Sequence, residues 1–329
     1  MPQPTASDVH VNRPLTNVMI AWSLRPGAFA FNTVFPMVPV MKQSDKYFVW
    51  DRKDAHRDQA AERGPGGKAP VTVRRLSTDQ YQCTVYSIAE AIDDQVRANQ
   101  DAPLNLDRSA SRNVGDKIML RFERKWATNF FVTGVWTGST TGTDLVGGVD
   151  FTQFAAPATG SPTTVIREQI FHLAKLNVRP EEMTLTLGPD VFRVFLDHDD
   201  FLNRLSDNEP QILNQQRIAT ILGIRQVVVP MLGFNPDNET EPGAFSSPNT
   251  NEFVFNDSML LSWAPTAPSI TDPSAGYTFW WRGLTGGNNG MRILRYRDEP
   301  HTDMIEGEGT LDPKATAPEL GVFFSDCLA

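Results

Sequence analysis

The sequence predicts an α+β protein, and three observations carry that prediction. Apolar residues recur at Val114, Ile118, Met119, Phe122, Trp126 and Phe130, the spacing of one helical stripe. From Met183 onward, short strand-like runs alternate with short helical ones, beginning with Thr184-Leu185-Thr186-Leu187 and then Gly188-Pro189-Asp190. Between Met37 and Tyr86, two strand-like stretches flank a long polar tip punctuated by Gly and Pro, which reads as an extended hairpin.

Bulk properties bound the class. At 329 residues the chain is long enough for one large or two modest domains, and 40% hydrophobic with 21% charged residues is ordinary for a folded protein. No apolar run reaches the length of a membrane span, and no basic-then-apolar leader opens the sequence. Cys83 and Cys327 supply no disulfide framework and suit a reducing cytoplasm. A net charge of −9 argues against a broad nucleic-acid-binding face.

Taken in order, residues 1–36 are rich in proline and read as an extended N-terminal arm with a short helix over Val18–Leu24. The hairpin over residues 37–86 has strands at Met37–Met41, Lys46–Trp50, Val71–Val73 and Tyr81–Tyr86. Its tip carries seven basic residues (Arg52, Lys53, Arg57, Arg63, Lys68, Arg74, Arg75) against four acidic ones (Asp51, Asp54, Asp58, Glu62), a net charge of +3 on an acidic chain. A basic arm on an acidic body is the pattern expected where copies of one chain grip each other. An ordinary solvated hairpin has the same composition.

The helical stripe places Arg112, Asp116, Lys117, Arg121, Glu123, Arg124 and Lys125 on the outer face, with Asp107 or Ser109 as N-cap. Residues 133–162 read as short strands and loop, and Thr163–Leu176 as a second helix ended by Arg179-Pro180. The α/β stretch continues with a helix to Leu196, another over Gln211–Leu222 stopped by Gly223, and a buried strand at Val227. Strand pieces at Phe253–Phe255 and Met259–Trp263 precede a proline-broken link. Further strands follow at Tyr277–Trp281, Met291–Tyr296 and Gly321–Phe324.

No catalytic constellation emerges. The five histidines are scattered without ligand spacing, so neither a metal site nor a cofactor is expected. Gly64-Pro65-Gly66-Gly67-Lys68 lacks phosphate-loop spacing and a following helix. His198-Asp199-Asp200 has no accompanying nucleophile and reads as an acidic turn between helices. Trp280-Trp281 and Phe323-Phe324 read as core filling rather than a ligand platform. A structural protein is expected, not an enzyme.

Ordered segments along nearly the whole chain resemble the major capsid proteins of tailed bacteriophages, with the Hong Kong ninety-seven-type fold. They are Phe35-Pro36 before Lys46–Asp51, Ala61–Gly67, Thr186–Phe192, Leu222-Gly223-Ile224, Pro273–Phe279, Arg295–Glu299 and Gly321–Asp326. The resemblance implies an N-terminal arm (1–36) and an E-loop hairpin (37–86) that lies over a neighbouring subunit. It also implies a peripheral domain (87–182), an axial domain (183–272) and a return to the peripheral domain (273–329). The peripheral domain would hold a spine helix with Val114, Ile118, Phe122 and Trp126 in its core. Arg52, Arg57, Arg63 and Lys68 at the E-loop tip would then be inter-subunit contacts.

The implied product is an icosahedral head shell of pentamers and hexamers around double-stranded DNA, found in the virion and assembled in the host cytoplasm. Implied partners are other copies of the chain, a portal protein, a separate scaffolding or decoration protein, and packaged DNA touching the inner face through residues such as Arg13, Arg25 or Arg124. No membrane partner is implied. Some relatives cross-link a Lys of the E-loop to a distant Asn; Lys68 with Asn288 or Asn289 would be the pair, but no catalytic acid is identifiable. An encapsulin-type compartment shell is the alternative within the fold, and a β-rich hydrolase the alternative outside it.

Overall fold

The computed structural model describes residues 29–50, 57–73, 75–100, 105–205, 212–236, 251–266, 268, 274–286 and 290–329. The expected helix over Val18–Leu24, together with Arg13, Arg25, Arg52, Asn288 and Asn289, lies outside them. In chain order the elements begin with α1 (Ala30–Thr33), β1 (Met37–Val40), β2 (Ser44–Trp50), β3 (Leu76–Gln82), β4 (Thr84–Asp93), α2 (Asp94–Ala98) and the long α3 (Leu106–Phe130). The middle of the chain contributes β5 (Leu145–Val146), α4 (Pro162–Ala174), β6 (Met183–Leu187), α5 (Pro189–Leu196), α6 (Asp199–Leu202), α7 (Gln215–Leu222), β7 (Gln226–Val228), β8 (Gly233–Phe234), β9 (Glu252–Phe253) and β10 (Met259–Trp263). It closes with β11 (Gly276–Trp281), α8 (Arg282–Thr285), β12 (Met291–Glu299), β13 (Thr302–Ala315) and β14 (Gly321–Ser325).

Two sheets organise these elements. In the first, β13 is central: its first ten residues pair with β4 on one edge and its first eight with β12 on the other. Its last four residues pair with β11, which in turn carries β1 in parallel. The second sheet runs β5-β14-β10-β6-β7, with β6 and β7 parallel and α5 to α7 making the crossover between them. Sheet membership therefore crosses the expected boundary at residue 273, because β14 pairs with β10 rather than with the strands around it in sequence. All five residues of β14, β10 and β6 are buried, which suits strands covered on both faces.

The long helix starts two to four residues earlier than the sequence suggests. Asn105, not Asp107 or Ser109, is its N-cap, accepting the Arg108 N–H at 3.0 Å. Val114, Ile118, Phe122, Trp126 and Phe130 are buried along it. Strand β13 lies on this stripe at close range because two of its residues have no side chain. A Cβ at Gly307 would come within 2.3 Å of Val114 and one at Gly309 within 2.6 Å of Ile118 and Phe122. One end of α3 joins a cluster of rings: Phe35 packs against Trp126, Phe130 and Trp136 at centroid distances of 5.4, 5.2 and 6.1 Å. From there Phe131 reaches Phe255, which precedes β10, and Phe323 of β14 in the second sheet, so one apolar core runs through both sheets.

The acidic turn His198-Asp199-Asp200 is a capping device. The His198 ring accepts the Asp200 N–H through Nδ1 and donates from Nε2 to the Thr159 carbonyl, which fixes the orientation of the buried ring. Asp200 in turn accepts the Thr163 N–H at 2.9 Å and its hydroxyl at 2.7 Å, capping α4, whose own N-cap Ser161 makes no side-chain bond. Arg204 braces both partners. Asp200→Ala is expected to lower stability by about 1–2 kcal/mol, a typical value for a lost cap, read as a lower urea midpoint at unchanged slope.

Candidate assembly surface

The arm is narrower than the sequence suggests. Its paired part is β2 with β3, seven residue pairs from Ser44↔Gln82 to Trp50↔Leu76. Strand β1 belongs to the body, because Met37–Val40 alternates on β11, and the run Tyr81–Tyr86 is split at Cys83 between arm and body. Val71-Thr72-Val73 pairs with no strand among the described residues. Its two valines are 90% and 74% exposed.

Alternation along the hairpin gives it two unlike faces. On one face, Tyr81 stacks on Phe279 of β11 at 4.8 Å and 18°, and Tyr47 joins at 5.5 Å. The Tyr47 hydroxyl donates to Asp79 at 2.7 Å. Burial and this carboxylate push the Tyr47 phenol well above its ordinary range, while the same hydroxyl and the Gln80 N–H lower the Asp79 carboxyl. On the other face, Phe48 is 63% exposed and Leu76 49% exposed.

The base is held firmly. Gln43 and Cys83 exchange two hydrogen bonds, Cys83 N–H to the Gln43 carbonyl at 2.8 Å and Gln43 Nε2 to the Cys83 carbonyl at 3.2 Å. Asp312 of β13 accepts the Gln82 N–H at 2.8 Å, and Trp281 Nε1 donates to the Met41 carbonyl at 2.9 Å. Burial raises the Asp312 carboxyl, opposed by that N–H and by Lys314 and Lys125. Cys83 is fully buried here, with its thiol pushed up to about 12 chiefly by burial, so it packs rather than reacts.

Beyond the base, the tip is solvent-exposed throughout residues 57–73, including Arg57, Arg63 and Lys68. A turn closed by Gly67 N–H to the Gly64 carbonyl at 3.0 Å lies at its far end. Of the side chains expected on the outer face of α3, Arg121 and Lys125 lie over the Tyr86 ring, each at 5.2 Å, and Arg124 over Phe234 at 4.3 Å. Glu123 is the exception: expected on the outer face, it is fully buried and turned towards α1, where the Ala30 and Phe31 amides give its carboxylate partners.

A rigid base, one face stacked on its own chain and an opposite face left apolar and open describe an arm suited to covering a second surface. No family model and no curated protein matches the chain. Solved structures do match. A phage-related protein from Bordetella bronchiseptica superposes with a TM-score of 0.62 at 15% identity, over 92% of this chain and 93% of the other. The capsid structure of the cyanophage P-SCSP1u gives 0.61 at 12% identity, covering 93% and 90%. The chain has the bacteriophage capsid fold. The Mycobacterium phage Che8 structure adds a third instance, with a TM-score of 0.52 at 13% identity over 94% and 96% of the two chains. At these identities the capsid fold is shared through architecture rather than through retained side chains.

Proposed function

We propose that this chain is the major capsid protein of a tailed bacteriophage, building an icosahedral head shell of pentamers and hexamers around double-stranded DNA. The observation that carries the reading is the arm: anchored by Tyr47 and Tyr81 on Phe279, open and apolar at Phe48 and Leu76, and basic at its tip, on a body with the phage capsid fold. In this reading the arm is the E-loop, lying over a neighbouring subunit. Helix α3 is the spine of a peripheral domain (87–182 and the return from 273), and residues 183–272 with their sheet form the axial domain. Arg57, Arg63 and Lys68, with Arg52, meet acidic surface of that neighbour, consistent with a tip of +3 on a chain of −9.

Assembly is physical rather than chemical. Obligate interfaces of this kind bury upward of about 2,000 Å² per pair, and contacts summed over a lattice stabilise a shell whose single subunits are marginal. The role is structural and its site the virion, following assembly in the host cytoplasm. A portal, a separate scaffolding or decoration protein and packaged DNA on the inner face complete the set of partners.

Negative-stain electron microscopy of the purified full chain, with light scattering on the same sample, tests the reading. Closed shells, tubes or rings of five and six subunits are expected. A monomer that persists at high concentration, with crowding agent present, overturns it.

A further inference from the structure

The carboxylate of Glu123 sits 0% exposed in the middle of α3, where a helix of this kind ordinarily places an apolar residue. Its two oxygens accept the Ala30 N–H at 2.7 Å and the Phe31 N–H at 3.1 Å, the first amides of α1. Helix α1 has no side-chain cap of its own at Phe29, so Glu123 satisfies donors that would otherwise be orphaned. The same short segment is held from the other side by Thr278, whose hydroxyl donates to the Phe31 carbonyl at 3.1 Å. Phe31 and Phe35 then pack on Phe122 and Trp126.

Among the described residues no cation pairs with the Glu123 carboxylate. One turn away on α3 stand Met119, Leu120, Trp126 and Ala127, and residues 29–35 contain no titratable side chain. The titratable groups on the strands packed against α3 have other partners. Tyr86 of β4 lies under Arg121 and Lys125, Glu90 of β4 accepts from Asn113, and Asp312 of β13 holds the Gln82 N–H and Lys314. Glu306 and Glu308 of β13 hold Tyr296 and Arg292, and Asp303 holds Arg97, Arg295 and Arg297. A carboxylate sealed from water without a cation is stable there mainly when protonated.

We infer that Glu123 is a proton-operated latch, seating Ala30–Val34 more firmly in acid and releasing it more readily in base. Burial raises the Glu123 carboxyl from its ordinary 4.5 to about 7, with the two N–H groups of Ala30 and Phe31 opposing. The sign follows: an acid whose seated form binds its proton more tightly than the released form favours seating below 4.5 and loses that advantage as pH rises towards 7.

Hydrogen exchange followed by mass spectrometry on the full chain tests the latch, comparing peptides spanning Ala30–Val34 with control peptides from β6. After removal of the intrinsic exchange rate, protection of Ala30–Val34 is expected to fall about tenfold between about pH 6 and about pH 8, with β6 unchanged. In Glu123→Gln, which keeps an acceptor and cannot ionise, the fall is expected to vanish. An equal fall in Glu123→Gln, or none in the wild type, overturns the latch. If Glu123→Gln does not fold, the wild-type profiles of Ala30–Val34 and β6 decide, a parallel fall in both overturning it. The readout is local to one subunit and stands whether or not particles form.

Discussion

Arg63→Glu combined with Lys68→Glu is expected to reduce the yield of sedimenting particles by at least about tenfold while leaving the subunit's melting temperature unchanged. Both side chains are exposed on an unpaired stretch of the arm, so their reversal touches none of the packing that holds the fold. Each reversal puts a negative charge against the surface of an acidic chain, where like charges brought together oppose docking. The charge-conserving pair Arg63→Lys and Lys68→Arg should assemble normally. Wild-type particles should also lose contacts as salt is raised, because exposed charges are screened within about 8–10 Å at ordinary ionic strength. Unchanged yield and salt resistance in the double reversal would remove the tip from the assembly contacts.

Trp126→Ala is expected to be the most damaging single core substitution, at about 3–5 kcal/mol. Trp126 is fully buried and packs on Phe35, Phe130 and Phe255, the junction through which α3, the segment entering from α1 and the second sheet share one core. Trp126→Phe discriminates between volume and polarity. The indole Nε1 finds no hydrogen-bond partner among the described residues, so exchanging the indole for a benzyl group removes an unsatisfied donor along with some volume. Its cost in a chemical-denaturation series should therefore be far below that of Trp126→Ala. Equal costs for the two would mean that the indole shape itself, rather than filled volume, is what the site requires.

What the sequence discloses depends on how local the determining forces are. The stripe from Val114 to Phe130 was legible because burial of one helix face imposes a helical period on the residues themselves. The fold class and the resemblance to phage capsid proteins were legible from segments whose order and spacing run along nearly the whole chain. Pairings set at long range were hidden. Met37–Val40 reads like the start of a hairpin, yet its partner is β11, 241 residues away at Met37↔Thr278, and no local feature specifies that choice. Strand β14 likewise looks like the last strand of its own region and instead lies beside β10.

Glu123 was the least legible residue of all. A glutamate beside Arg124 and Lys125 reads as solvated, and only the arrival of the Ala30 and Phe31 amides, more than 90 residues away in sequence, gives it a reason to be inside. Cap residues supplied by another element, such as Asp200 on α4, are invisible on the same grounds. The arm's two faces were half legible: alternation separates Tyr47 from Phe48, but which face finds the body depends on Phe279.

Strand β13 acts as a beam. It is a single run of 14 residues whose two ends do different work: Asp312 grips the base of the arm, and Gly307 and Gly309 lie flush on the middle of α3. No loop interrupts the path between them, so a torque applied to the arm would reach the long helix through one continuous strand. A shell built this way would share mechanical load between adjacent subunits, and its stiffness would be set by how well one strand of each subunit resists bending.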